Sequence, residues 1–138
     1  VVLETPSAAL KANDLSSVCE FLSFGTNDLT QMTYGLSRDD AGRFMQDYIE
    51  KEVFPKDPFH TLDLEGVGEL ILIASERARQ KDKFIELGLC GEHGGDPDSI
   101  RFCLDANFDY VSCSPFRIPI ARLAAAQASI KKAMSKCA

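Results

Sequence analysis

The sequence is poor in the features that would direct it to a membrane, a zinc site or a nucleotide. No apolar run approaches the ~18 residues of a membrane span. The five cysteines are an odd number and contain no CxxC pair, so neither a disulfide framework nor a zinc knuckle is favoured. With two histidines in the chain, a histidine-based metal site is not expected. Neither GxGxxG nor GxxxxGK followed by Ser or Thr occurs, which removes the fingerprints of nucleotide-binding doubly wound folds. Positive charge is also short: 15 Lys and Arg face 21 Asp and Glu, a net charge of −6, which argues against a nucleic-acid backbone as partner. A small anion is not excluded, because its site needs only local positive charge or a metal. The opening "VVLETP" has no basic stretch ahead of an apolar one, and the closing "MSKCA" is no peroxisomal or lipidation signal. A reducing compartment is the expected home: the cytoplasm, or a plastid or another organelle if an import peptide preceded Val1.

What remains is ordinary globular composition, 138 residues with 45% hydrophobic and 26% charged, enough for one domain with a core. Four short apolar segments, each ended by Gly, Pro or a polar cluster, read as buried parallel strands: Val1–Glu4, Glu20–Phe24, Ile85–Cys90 and Tyr110–Cys113. Helical patterns lie between and after them, over Ser7–Cys19, Val67–Gln80, Asp98–Ala106 (started from Asp98 or Ser99) and the alanine-rich Pro119–Met134. Strand–helix alternation repeated in this way predicts an α/β fold with a parallel sheet. Thr30–Glu65, rich in Asp, Gly, Phe and Pro, reads as an elaborated loop over the strand ends. Polar chemistry recurs at successive strand C-termini: Glu4, then Thr26-Asn27-Asp28, then Cys90 to His93, then Ser112-Cys113-Ser114. A (β/α)8 TIM barrel distributes its catalytic groups in this way, and four units are half of one. Because "VVLE" already reads as a buried strand, residues 1–138 are expected to be the C-terminal half of such a barrel, cut from something longer.

Glu4 and Asp28 each follow an apolar strand, and consecutive βα units bring such ends side by side. Two carboxylates on one open face repel unless a cation sits between them, and hard oxygen ligands suit Mg²⁺ or Mn²⁺. The alternative is a solvent-facing Glu4 and an Asp28 that caps a helix or forms an Asx-turn. In "GLCGEHGGDPDS" the thiol of Cys90 ends a strand, beside glycines that let the backbone bend. It is either a nucleophile or proton donor, its ordinary pKa of ~8.5 suiting an enolate, or a buried, inert cysteine. His93 either orients its neighbours or bonds to backbone, and His60 reads as loop. Cys19 and Cys103 fall on apolar helix faces and Cys137 in the tail. Cys113, ending the last strand, is intermediate. "SRDDAGRF" (Ser37–Phe44) is compatible with a charged surface or with a loop over a barrel mouth.

"SFGTNDLTQMTYGLSRDDAGRFMQDY", "GLCGEHGGDPDSIRFC" and "YVSCSPFRIPIARLAAAQA" closely resemble the C-terminal phosphoenolpyruvate/pyruvate-binding barrel of the pyruvate, phosphate dikinase family. The similarity runs from Glu4 to Gln127. "GTNDLTQ" is shared across the wider group of phosphoenolpyruvate-utilising enzymes, whereas "CGEHGGDP" is similar to the dikinases in particular. The resemblance implies that Glu4 and Asp28 bind Mg²⁺. It implies that Gly25, Thr26 and Asn27 hold the carboxylate and phosphoryl oxygens of the substrate, and that Cys90 protonates the enolate carbon of pyruvate. It further implies a reaction interconverting ATP, phosphate and pyruvate with AMP, diphosphate and phosphoenolpyruvate. In that reaction a phosphohistidine domain carries the phosphoryl group, and the full-length enzyme is a homodimer. Residues 1–138 carry no phosphohistidine motif and no ATP-binding domain. They also lack the earlier strands that bear the family's phosphoryl-clamping arginines, and Arg38, Arg43 and Arg117 match no motif that makes them replacements. The segment alone is therefore expected to be inactive, and its open sheet edges to favour self-association. Two other readings stand beside this one: the equivalent half-barrel of phosphoenolpyruvate synthase, and a non-catalytic piece serving oligomer contacts through "IARLAAAQASIKKAM".

Overall fold

The computed structural model describes residues 1–135, so Cys137 lies outside the described part. Strands β1 (Val2–Leu3), β2 (Phe21–Gly25), β3 (Glu86–Cys90) and β4 (Tyr110–Val111) form one parallel sheet whose spatial order is their chain order. With helices following the strands, this is an α/β fold and half of a (β/α)8 barrel, as the sequence pattern predicts. The outer strands are shorter than expected, two residues each rather than Val1–Glu4 and Tyr110–Cys113, because each has a ladder partner on one side only.

Side chains alternate across a strand, so the register decides what each face carries. Leu3 pairs with Phe24 and Leu22 with Leu87, which puts these four on one face, all fully buried. They pack on α1 (Pro6–Leu10), α2 (Ala12–Leu15) and α6 (Glu69–Lys81) through Ala9, Ala12, Ile71, Ala74 and Ala78. The small alanines let these helices approach the sheet closely. The opposite row, Val2–Ser23–Gly88–Tyr110, faces the lumen side; it is exposed at its edges, Val2 and Tyr110, and buried at Ser23 and Gly88.

Several helix boundaries differ from the sequence reading for local reasons. The span Ser7–Cys19 is two short helices rather than one, interrupted at Lys11 (φ −103°, ψ 19°). Thr5 caps the first by accepting from the Ala8 N–H at 3.2 Å. Ser16 and Ser17 end the second by donating their hydroxyls to the Asn13 carbonyl. Cys19 lies beyond it, outside any helix, its thiol 3.2 Å from the Leu15 carbonyl. Helix α6 starts after a wide turn, Leu64–Gly68, capped by the Asp63 carboxylate. Helix α7 (Pro97–Asp105) is capped by Asp96 rather than by Asp98 or Ser99, since Pro97 occupies its first position. The last helix, α8 (Ile118–Ser135), buries Ala121, Ala124 and Ala128 and packs on α7.

Thr30–Glu65 is not a loop. It holds the end of α3 (Thr26–Tyr34), then α4 (Arg38–Ala41) and α5 (Met45–Glu50), around a second small core of Ala41, Met45 and Phe59. Tyr34, Phe44, Tyr48 and Phe54 form a chain of edge-on and tilted ring contacts there, with centroids 5.1 to 5.7 Å apart.

Candidate functional site

The ladder Leu3–Phe24 and Gly25–Cys90 brings Glu4, Gly25 and Cys90 into one row across the C-terminal ends of three strands. Alternation from Val2, Ser23 and Gly88 turns that row toward the lumen face. Glycine at 25 is a matter of crowding: a Cβ there would come within 2.6 Å of Glu4 Cγ and 3.0 Å of its Oε1. The Glu4 carboxylate therefore lies across the end of β2. Ser112, one residue past β4, continues the row, and its N–H donates to the Leu89 carbonyl at 2.7 Å.

The crowded "GTNDLTQ" is the place where β2 runs straight into α3. Gly25 is both the last residue of the strand and the helix N-cap, and it offers no side chain to the first-turn N–H groups. Thr26 is fully buried, Asn27 half-buried and Asp28 exposed. The Asn27 Oδ1 accepts from the Glu92 N–H at 3.2 Å, which leaves its amide NH₂ as a donor. Glu4 and Asp28 belong to none of the ion pairs among the described residues.

Cys90 is half-buried, with its thiol 3.5 Å from the Phe24 carbonyl. The loop after it turns at Gly91 (φ 112°), a conformation that L side chains rarely adopt. Cys103, by contrast, is buried in α7, and burial pushes its thiol up to about 12. Cys113 packs beside Ile100, Ala121 and Ala124. His60 is exposed, as expected of a loop residue.

His93 is fully buried, and it does both things the sequence allowed. Its Nε2 lies 2.8 Å from the Pro58 carbonyl, and its Nδ1 lies 2.7 Å from the Thr26 hydroxyl, which is in turn 3.0 Å from the Cys90 carbonyl. A carbonyl only accepts, so Nε2 carries a proton. Burial lowers the ring's pKa, with the Pro58 bond opposing, so the folded-state ring is neutral and Nδ1 accepts. Thr26 then has one hydroxyl proton facing two acceptors, Nδ1 and the Cys90 carbonyl. Protonating His93 would turn Nδ1 into a donor and release that hydroxyl entirely to Cys90.

No group of three or more His, Cys, Asp and Glu side chains gathers for a metal among the described residues. Glu4 and Asp28 offer two hard oxygen donors, a set that fits Mg²⁺ when waters and substrate oxygens complete the octahedron. The sequence reading missed two features: the Thr26–His93 bond, and the Arg38–Glu92 pair at 3.4 Å, which ties α4 to the loop after β3. "SRDDAGRF" is thus partly a helix linked to the mouth, while Arg43 pairs locally with Asp40.

The family described as PEP-utilising enzyme, PEP-binding domain matches residues 1–130. The pyruvate, phosphate dikinase of Rhizobium meliloti (strain 1021) is 61% identical over 94% of this chain and 14% of its own length. That of Clostridium symbiosum is 54% identical over 94% of the chain and 15% of its own length. The chloroplastic pyruvate, phosphate dikinase of Mesembryanthemum crystallinum is 56% identical over 91% of the chain and 13% of its own length. The chain thus spans about one seventh of the curated relatives it matches. On the match over residues 1–130, this chain belongs to the PEP-utilising enzyme family, within its PEP-binding domain.

Proposed function

We infer that this chain is part of a pyruvate, phosphate dikinase and forms the metal- and enolate-handling half of its phosphoenolpyruvate/pyruvate site. The single observation that carries the reading is the row Glu4–Gly25–Cys90 running into an α3 N-terminus that no side chain caps. Glu4 and Asp28 would hold Mg²⁺, which when bound supplies Lewis-acid stabilisation of developing enolate charge. The first-turn N–H groups of α3 and the Asn27 amide donate to the carboxylate or phosphoryl oxygens of the substrate. Cys90 delivers its proton to the enolate carbon on the way to pyruvate and removes a methyl proton in reverse. The Thr26 side chain, fully buried, bonds to the Cys90 carbonyl and positions that thiol's backbone, while the Thr26 N–H is one of those first-turn donors. In this reading residues 1–138 are a partial barrel domain. The phosphohistidine and ATP-binding domains belong to other parts of the full-length enzyme, a homodimer that interconverts ATP, phosphate and pyruvate with AMP, diphosphate and phosphoenolpyruvate.

Oxalate mimics the pyruvate enolate and tests the site without turnover. Calorimetric titration of oxalate into the purified chain should show binding that requires Mg²⁺ and is lost in Asp28→Ala. Binding that is indifferent to Mg²⁺ or unchanged in Asp28→Ala would sink the reading. The isolated chain should give no steady-state turnover, for want of the missing domains.

A further inference from the structure

At the far end of that row, the loops after β3 and β4 form a half-open pocket of about 190 Å³, lined by Gly91, Glu92, Ser112, Cys113, Ser114 and Arg117. We propose that it is a second anion subsite, for a small tetrahedral dianion of the phosphate class, read by the Arg117 guanidinium and the Ser112 and Ser114 hydroxyls. Three observations support the assignment. The first is charge. Glu92, the lining carboxylate, already faces Arg38 at 3.4 Å, whereas Arg117 enters none of the ion pairs among the described residues, so the pocket's own cation is available to a ligand.

The second is how Arg117 is held. Its stem lies on Gly95, where a Cβ would come within 3.0 Å of both its Cβ and Cγ; at Gly94, a Cβ would collide with the Ser112 carbonyl. The paired glycines of "GEHGGDP" thus admit the β4 loop and seat the arginine in one place. The Arg117 N–H closes the Pro115–Arg117 turn on the Ser114 carbonyl at 2.9 Å, and Cys113 anchors the segment beside Ile100, Ala121 and Ala124. A guanidinium held by its stem loses less freedom on binding, and its fork matches two oxygens of a phosphate. The third is place. β3 and β4 are the last two strands of this half-barrel, and the loops after the last two strands of such barrels frequently form a phosphate site.

The subsite lacks Glu4 and Asp28 and should work without Mg²⁺, which separates it from the enolate site. Inorganic phosphate, titrated into ¹⁵N-labelled chain without divalent metal, should shift the amides of Gly91, Ser112 and Ser114 together and saturably. Arg117→Ala should weaken this by roughly tenfold or more, as expected for losing a charged hydrogen-bonding partner. Asp28→Ala should leave it unchanged even where oxalate binding is gone. Arg117→Gln, which keeps most of the stem on Gly95, guards against misfolding and should weaken phosphate similarly with an otherwise unaltered spectrum. Amides that stay still, equal affinity in a folded Arg117→Gln, or loss of phosphate binding in Asp28→Ala would each overturn the proposal. A response to phosphoenolpyruvate with Mg²⁺ but not to phosphate alone would also overturn it, since it would return these residues to the enolate site.

Discussion

Helices α3 and α7 each follow a strand of the sheet, α3 directly and α7 after the turn Glu92–Gly95, and their first turns are finished in opposite ways. At α7, Asp96 accepts from the Ser99 N–H at 2.9 Å and the Ser99 hydroxyl at 2.6 Å, while the Ser99 oxygen accepts from the Leu62 N–H at 3.0 Å. Pro97 at the first position removes one orphan donor. At α3 the cap is a glycine, no side chain answers the N–H groups, and an unpaired Asp28 is exposed in the first turn. One end is satisfied by the protein itself. The other has no side-chain partner, and on the function proposed above it is the end that would receive an anion from solvent.

The largest stability effect should come from breaking the closed end. Asp96→Ala removes the cap and strands two donors of Ser99, which is itself fully buried. A loss of about 2–4 kcal/mol is expected in urea unfolding, from the cap and the unsatisfied donors together. Oxalate affinity of the fraction that stays folded should change little. If Asp96→Ala weakened oxalate as strongly as Asp28→Ala does, the division of labour between the two helix ends would be wrong.

A smaller effect is expected from the tie between the two regions, His93. Its ring faces Thr26 on α3 and Pro58 on the connection before α6, with His60, Glu92 and Asp96 as the nearby titratable groups. Burial lowers its pKa below the ordinary 6.5, so the unfolded chain binds the proton that the folded chain refuses. Stability should therefore rise with pH across the window below 6.5, and fall as pH drops from 6.5 toward the folded-state value. His93→Gln should flatten that slope in denaturation curves taken at stepped pH. An unchanged slope would mean that another group carries it.

How much of this was legible in the sequence depends on how local each cause is. The four strands are legible as short apolar runs, and Glu4, Asn27, Asp28 and Cys90 as the polar residues at their C-terminal ends. The cap of α7 was misplaced because three candidates, Asp96, Asp98 and Ser99, sit within one turn, and only Pro97 distinguishes them. The helices within Thr30–Glu65 were invisible because α4 and α5 are four and six residues long, too short to show a period. They rest on aromatic contacts such as Tyr34–Phe54, between residues far apart in the chain. The Thr26–His93 bond joins residues 67 positions apart, a pairing that no pattern along the chain encodes.

The smallest stability effect should come from the open end, and it sharpens the comparison most. Asp28 is exposed and outside the ion pairs among the described residues, so Asp28→Ala loses little beyond its favourable position at a helix N-terminus, about 0.3–1 kcal/mol. Without divalent metal, the variant and the parent should melt at nearly the same temperature. Adding Mg²⁺ and oxalate should raise the parent's Tm, because a ligand that binds only the folded state stabilises it by mass action. The variant's Tm should stay where it was. A carboxylate that contributes to folding would separate the two proteins before any ligand is added; one kept for a ligand separates them only afterwards.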